Sequence, residues 1–351
     1  MPVIHGIHYS KAKLLERCGN ISQVAGYKRY VISEGRGKGV EAVEIYNGNG
    51  LQFTVLLDKT LDIADCSYQG VNLAYMTGNG IVAPQFYDSH GNGWLRSFNG
   101  GLLSTCGITY CGAASEDEGE LLGLHGRISH CPADNICCEA VWEKEDYVIT
   151  VRGRSYETRL HGEFLELRRE IKIRAGDNTI YLHDEIENQG YRPVPLMMIY
   201  HCNFGFPLYD AGSEIYIDSV ECAPNDEVSS KSLDDRNLVP EPRPLVPESV
   251  YFHRMNVSRG YGLAALINRK IGRKGLGVFL KYDLKELPYL NQWKMIAAGH
   301  YVLGLEPSNC RTLGRASEKA EGRLRYIEPG ETRHFNLAII ISEEIDNQIG
   351  Q

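Results

Sequence analysis

The sequence predicts an all-β protein, a large antiparallel β-sandwich with minor helices, and three observations carry that expectation. Apolar residues recur with a period of two: Val43 and Ile45 alternate with Glu44, and Leu51, Phe53 and Val55 alternate with Gln52 and Thr54. That period puts every second side chain on one face, as in a strand with one buried side. Between these runs, Asn47-Gly48-Asn49-Gly50 supplies the positive-φ residues that a tight antiparallel hairpin needs. No repeat of 20–50 residues, low-complexity tract or shift of composition divides the 351 residues, so a single domain over 1–351 is the economical reading.

Taken in order, the chain opens with an extension over 1–39 that holds a short helix, Ser10 to Cys18, with Ser10 as its N-cap and Gly19-Asn20 as its stop. Asp58 to Asp65 is a further short extended segment, and Tyr68 to Leu73 is a turn followed by another. Residues 78–112 are rich in glycine and aromatics, including Trp94-Leu95-Arg96-Ser97-Phe98-Asn99, and keep neither helical nor strand period. A loop that long inside a compact domain is usually functional or disordered, and the aromatic content favours function. A meander follows: Val141-Trp142, Val148 to Val151, Phe164 to Ile173 and Thr179 to Ile186, with turns at Glu143 to Asp146 and Ala175 to Asn178. Pro195 to Asn203 and Glu214 to Ile217 are further strands. The connection from Pro224 to Pro247 also holds Pro240, Pro242 and Pro244, which argues for an ordered, irregular excursion. Leu263 to Ile267, Gly277 to Tyr282, His300 to Glu306 and Phe335 to Ile341 complete the strands.

Bulk composition narrows the partners. A formal charge of −8 argues against nucleic acid or an anionic membrane surface, both of which call for clustered Lys and Arg. A small neutral molecule fits better. No signal-like apolar stretch opens the sequence and no run of roughly 18 apolar residues occurs, so a soluble, cytoplasmic protein is expected. The ten cysteines read mostly as buried thiols. Cys106-x4-Cys111 and Cys137-Cys138 lack the paired spacing of structural zinc sites.

Three short motifs stand out: Leu124-His125-Gly126, the apolar run that ends in His201-Cys202-Asn203-Phe204-Gly205, and Leu305-Glu306-Pro307. Each sits at an expected strand end beside Gly or Pro. Taken singly, His201 reads as a hydrogen-bonded strand histidine, His125 as a turn residue and Glu306 as a solvated strand end. Two imidazoles and a carboxylate so far apart in sequence would form one site only if a sheet gathered them.

In that order and at those separations, the motifs resemble the aldose 1-epimerase (galactose mutarotase) superfamily, in a divergent bacterial branch. Trp94 to Cys106, Gln292-Trp293-Lys294 and Tyr301 to Asn309 add to the likeness, which runs from about Leu51 to Ile341. The resemblance implies a galactose mutarotase-like supersandwich, two large antiparallel sheets with a concave sugar-binding face, and interconversion of α and β anomers. It implies Glu306 as general base on the anomeric hydroxyl, His201 as general acid on the ring oxygen, and His125 as a hydrogen-bonding partner nearby. Arg96 is the counterpart it implies for the family's substrate-binding arginine. The pattern departs here, since Asn99 follows Arg96 where the family has an Asn before its Arg, and no acidic hydroxyl-binding residue stands out.

The chemistry asks for these residue types on its own account. Opening a hemiacetal needs one proton removed from the anomeric oxygen and another delivered to the ring oxygen, each transfer giving about 10²–10⁴ in rate. No cofactor or metal is required. The carboxylate must start ionised and the imidazole protonated, and a shared pocket is expected to stabilise both charged forms. Arg127, Trp293, Asp62 and Asn203 join Arg96 as candidate substrate contacts, and Trp94 as a candidate ring platform. Three alternatives stay open: a metal-dependent sugar isomerase with His125, His201 and Glu306 as ligands, a non-catalytic sugar-binding protein, and a sugar-phosphate substrate held by Arg96 and Arg127. The sequence leaves the oligomeric state open.

Overall fold

In the computed structural model, which describes residues 1–350, Asn47–Gly50 joins strands Glu41–Tyr46 and Leu51–Leu56, with Val43 opposite Val55 and Ile45 opposite Phe53. Asn47 closes the turn, its Oδ1 accepting from the backbone N–H groups of Asn49 and Leu51 at 2.8 and 3.0 Å. The hairpin belongs to a five-stranded sheet in the order Gly26–Val31, Glu41–Tyr46, Leu51–Leu56, Asp62–Tyr68, Val71–Asn72. The first of these strands lies within the stretch read as an extension. The sequence does not signal it, because it is an edge strand whose last four residues are exposed, with no buried alternation. The expected helix forms over Lys11–Leu15, capped by Ser10 Oγ accepting from the Lys13 N–H.

The meander grows into an eight-stranded sheet, ordered Asp134–Glu143, Asp146–Thr158, Phe164–Arg174, Thr179–Asn188, Thr332–Ser342, Leu276–Tyr282, Gly262–Asn268, Glu214–Ile217. A seven-stranded sheet runs Ser219–Pro224, Ser249–Met255, Tyr289–Ala297, His300–Ser308, Val194–Phe204, Arg325–Ile327, and Ser104–Ile108 also pairs with Val194–Phe204. Pairing between the strands is antiparallel throughout. One apolar core joins the three sheets, with Phe53 and Val55 from the smallest, Ile171 and Leu337 from the largest, and Phe204 and Leu305 from the third. Each of these side chains is at most 2% exposed, so the β-sandwich follows from burying the inner face of each sheet against the others. Residues 78–112 form two single-turn helices, Pro84–Phe86 and Gly93–Arg96, before the Ser104–Ile108 strand. The proline-rich excursion carries the short helix Glu227–Lys231, capped by Asp226.

Candidate active site

His201 and Glu306 meet because of strand register. The strands Val194–Phe204 and His300–Ser308 set Ile199 opposite Ser308 and Cys202 opposite Leu305, and the same register sets His201 opposite Glu306. Directly opposed residues share a face of the sheet. His201 Nε2 stands 3.2 Å from Glu306 Oε1, a close approach without hydrogen-bond alignment, since Oε1 has no hydrogen-bond partner in the protein. Glu306 is therefore not the solvated strand end that Pro307 suggested. It is 1% exposed and inside the strand, with Asn291 across from it on the other side. Gly304, two residues earlier on the same face, makes room for the carboxylate. A methyl group there would stand 2.7 Å from Glu306 Oε1 and 3.1 Å from Trp293 Cβ.

His125 arrives from a loop, in a left-handed conformation at φ 60°. Gly123 and Gly126 on either side must be glycines, because a Cβ on Gly123 would lie 2.1 Å from the Ser89 carbonyl oxygen and one on Gly126 would lie 2.2 Å from that of Tyr110. The His125 N–H donates to the Gly112 carbonyl at 2.9 Å, and its own carbonyl accepts from the Gly107 N–H at 3.2 Å. These contacts place its ring edge-on to that of His201, with centroids 5.6 Å apart at 88°.

Aromatic rings wall the pair. Trp94 lies 4.8 Å from the His125 ring and stacks on Phe98 at 4.4 Å. Phe98 and Trp293 approach the His201 ring at 5.7 and 5.5 Å. Together they line a cavity of about 340 Å³ that also takes in Asn225 and Glu248 from the two ends of the proline-rich excursion, at the small end of the size range of small-molecule sites. Glu248 accepts from the Trp293 indole N–H at 2.7 Å. His125 Nδ1, His201 Nδ1, Glu306 Oε1 and Asn225 Oδ1 are buried with no protein partner. Buried polar atoms are normally paired, so four such atoms on residues of one cavity mark where a ligand's polar groups belong.

A family model described as a domain of unknown function, DUF4432, matches residues 37–341. The chain belongs to the DUF4432 family. The match spans every residue of the cavity. Among solved structures, a protein of Klebsiella pneumoniae provisionally assigned as an aldose 1-epimerase is 23% identical, with 92% of this chain and 86% of that one covered and a TM-score of 0.86. A galactose mutarotase-like protein from Clostridium acetobutylicum is 11% identical over 91% of this chain and 99% of that one, with a TM-score of 0.63. A galactose 1-epimerase from Lactobacillus acidophilus is 13% identical over 91% and 99%, with a TM-score of 0.58. These likenesses establish the galactose mutarotase-like fold expected from the sequence. No curated protein matches the chain.

Within this DUF4432 chain, the electrostatics of the free cavity differ from expectation. Burial lowers His201 to about 4, and burial together with the neighbouring His201 lowers His125 to about 3. Burial also lifts Glu306 well above the carboxylate range, with Glu248 adding to the rise. The shared pocket was expected to favour both charged forms, but low-polarity walls disfavour charge on either group. Burial thus favours a protonated carboxyl beside a neutral imidazole in the free pair.

Four expected substrate contacts lie off the cavity. Arg96 ends the Gly93–Arg96 turn exposed to solvent, while Trp94 of the same turn points inward. Arg127 is partly exposed and sits 4.0 Å from Glu120. Asp62 is 3% exposed and takes the Thr105 N–H and an Arg169 N–H. Asn203 faces backbone, donating to the Gly101 and His201 carbonyls at 3.1 and 2.9 Å. Nor do the three chemistry-bearing residues make a metal-ligand set: among the described residues, the group whose ligand atoms all fall within 4.8 Å of one another is His183, Glu185 and His334. Glu248, Asn225 and Gly304 also belong to the site and carry no signal in the sequence. The first two bracket a stretch with no period, and glycine carries no chemistry of its own to notice.

Proposed function

We propose that this chain is a carbohydrate mutarotase of the aldose 1-epimerase type, an isomerase that interconverts the α and β anomers of a free neutral sugar. The observation that carries the reading is the His201–Glu306 pair, 3.2 Å apart and buried at an aromatic-walled cavity. Burial favours a protonated Glu306 beside a neutral His201, the one proton that the reaction moves. Bound sugar hydroxyls offer polar partners that favour transfer of that proton from Glu306 to His201, with no exchange with solvent. Glu306 then removes the proton of the anomeric hydroxyl while His201 protonates the ring oxygen. The C1–O5 bond breaks and a C1 carbonyl forms. Rotation about C1–C2 turns the other carbonyl face to the C5 hydroxyl, and the same groups act in reverse to reclose the ring. His125, unpartnered at Nδ1, supports the ring-oxygen end.

The lining also speaks to the substrate. Among the described residues none of those around the cavity is Lys or Arg, while Glu248 and Glu306 are both carboxyls. A phosphate or uronate would enter without a counter-charge, so a neutral sugar is favoured. Trp94, Phe98 and Trp293 suit the apolar face of a sugar ring, and Glu248 and Asn225 Oδ1 can accept from its hydroxyls. All ten cysteines are free thiols, which accords with a cytoplasmic setting. No helix among the described residues is long and apolar enough to cross a membrane.

Magnetisation-exchange NMR between anomers, over a panel of neutral aldoses, uronates and sugar phosphates, tests the proposal. The expected result is accelerated exchange for at least one neutral aldose and none for the phosphates. Absence of acceleration for every neutral aldose overturns it.

A further inference from the structure

On the face of the eight-stranded sheet turned away from the core, register builds a second cluster with no part in the cavity. Thr179–Asn188 and Thr332–Ser342 pair so that His183 opposes Asn336 and Glu185 opposes His334. His183 and Glu185 are two residues apart and share a face, while Leu182, Asp184 and Ile186 between and beside them point into the core. Glu185 Oε1 lies 3.6 Å from His183 Nε2 and 3.6 Å from His334 Nδ1. The two imidazoles stack at 5.6 Å with 18° between their planes.

We propose that His183, Glu185 and His334 bind a divalent transition ion of the zinc class, with water completing the shell. Ligands at about 2.0–2.1 Å from a tetrahedral ion stand about 3.4 Å from one another, so the two 3.6 Å separations need little adjustment. The chemistry of the set agrees, since imidazole nitrogen with one carboxylate suits zinc, nickel and copper. His183 is also oriented for the task. Its Nδ1 donates to Asn336 Oδ1 at 2.8 Å, which fixes the tautomer and leaves the Nε2 lone pair facing Glu185, the outer support that metal-bound histidines usually have.

The surrounding charges set the expected strength. Arg168, opposite Glu185 on the neighbouring strand, donates to Glu185 Oε2 at 3.0 Å and also pairs with Glu166 and Glu187. It leaves Oε1 available but competes for the carboxylate. Glu170, opposite His183, is held by Arg152 and Lys172. The site is therefore of moderate affinity.

Titration calorimetry of the full chain with zinc chloride, in a non-chelating buffer, tests the site. One saturable equivalent is expected. His183→Ala and His334→Ala should each weaken it more than tenfold, and Asn336→Ala should weaken it about 10–100-fold. Arg168→Gln, which frees the carboxylate, should hold the ion at least as tightly as the unaltered chain. Melting curves should show zinc raising the midpoint of the unaltered chain and not of the two His variants. No saturable binding, or binding undiminished in both His variants, overturns the proposal. Anomer exchange is expected to be unchanged in every one of these variants, so the outcome is independent of the mutarotase reading.

Discussion

Two buried polar clusters lie on opposite faces of the strand Val194–Phe204, one residue apart. Tyr200 belongs to the first, where the fully buried Arg169 donates to Asp184 at 2.8 and 2.6 Å, to Asp62 at 3.1 Å, to the Thr60 carbonyl at 3.0 Å and to Thr105 at 2.8 Å. Asp62 takes the Thr105 N–H, and Tyr200 donates to Asp184 at 2.7 Å. No buried polar atom of Arg169, Asp62, Asp184, Thr105 or Tyr200 is left without a partner. His201 belongs to the second, where His201, His125 and Glu306 each keep an unpartnered buried atom. A completed network has no capacity left for a ligand and ties sheets together. An incomplete one, facing a cavity, is built to be completed by something that arrives.

The sharpest way to test that contrast is to remove chemistry from one cluster and charge from the other. Glu306→Gln keeps shape and burial but removes the proton acceptor, so anomer exchange should fall by about 10²–10⁴, while the urea midpoint holds or rises because a buried ionisable group has gone. Exchange at the original rate would remove Glu306 from the mechanism. Arg169→Met should do the reverse. It leaves Asp62 and Asp184 buried without their counter-charge, a loss of roughly 3–5 kcal/mol in unfolding free energy, with activity per folded molecule largely kept. A variant as stable as the parent would mean that the network is not what joins the sheets.

Gly304→Ala probes how finely the open cluster is placed. Its methyl would need the space now held by Glu306 Oε1, 2.7 Å away, and a displacement of about 1 Å can cost roughly 10² in turnover. Turnover should drop with little change in melting temperature, and unchanged turnover would show that the carboxylate has freedom to spare. The pH profile follows from the same geometry. With Glu306 raised and His201 lowered to about 4, burial favours a protonated carboxyl beside a neutral imidazole in the free pair. Below about pH 4 His201 gains a proton while Glu306 keeps its own, no base remains, and kcat/KM should fall about tenfold per unit. A fall centred near pH 6.5, the ordinary imidazole value, would contradict the burial argument.

Much of this was legible in the chain because period-two runs and turn residues report burial directly. The Asn47–Gly50 hairpin and the meander from Val141 to Ile186 follow from alternation, and the strands carrying His201 and Glu306 from apolar runs stopped by Gly and Pro. Register is what alternation does not report. A one-residue slip would send His201 to the other face, so the opposition of His201 and Glu306 became visible only once Ile199 and Ser308 were seen paired. The same gap misplaced Asp62, whose acidity suggests a ligand contact until Arg169 is found beside it from 107 residues away. Glu248 and Asn225 lie where the backbone has no period, and only the fold brings them to the cavity.

Arg96 supplies the smallest effect and a clean separation between resemblance and geometry. By position in the sequence it stands where a sugar-binding arginine would, yet its side chain is exposed and only its backbone carbonyl is engaged, accepting from Arg36 at 2.9 Å. Alanine keeps that carbonyl, so Arg96→Ala should alter stability by no more than about 0.5 kcal/mol, as at an ordinary surface position. Exchange should stay within about twofold, since neither face of the His201–Glu306 pair loses a contact. The alternative has a distinct signature. If Arg96 swung in over a bound sugar, alanine would raise KM with kcat nearly unchanged, the mark of binding lost equally from ground and transition states. A KM shift of tenfold or more would therefore put a cation back into the site and reopen the case for an anionic sugar.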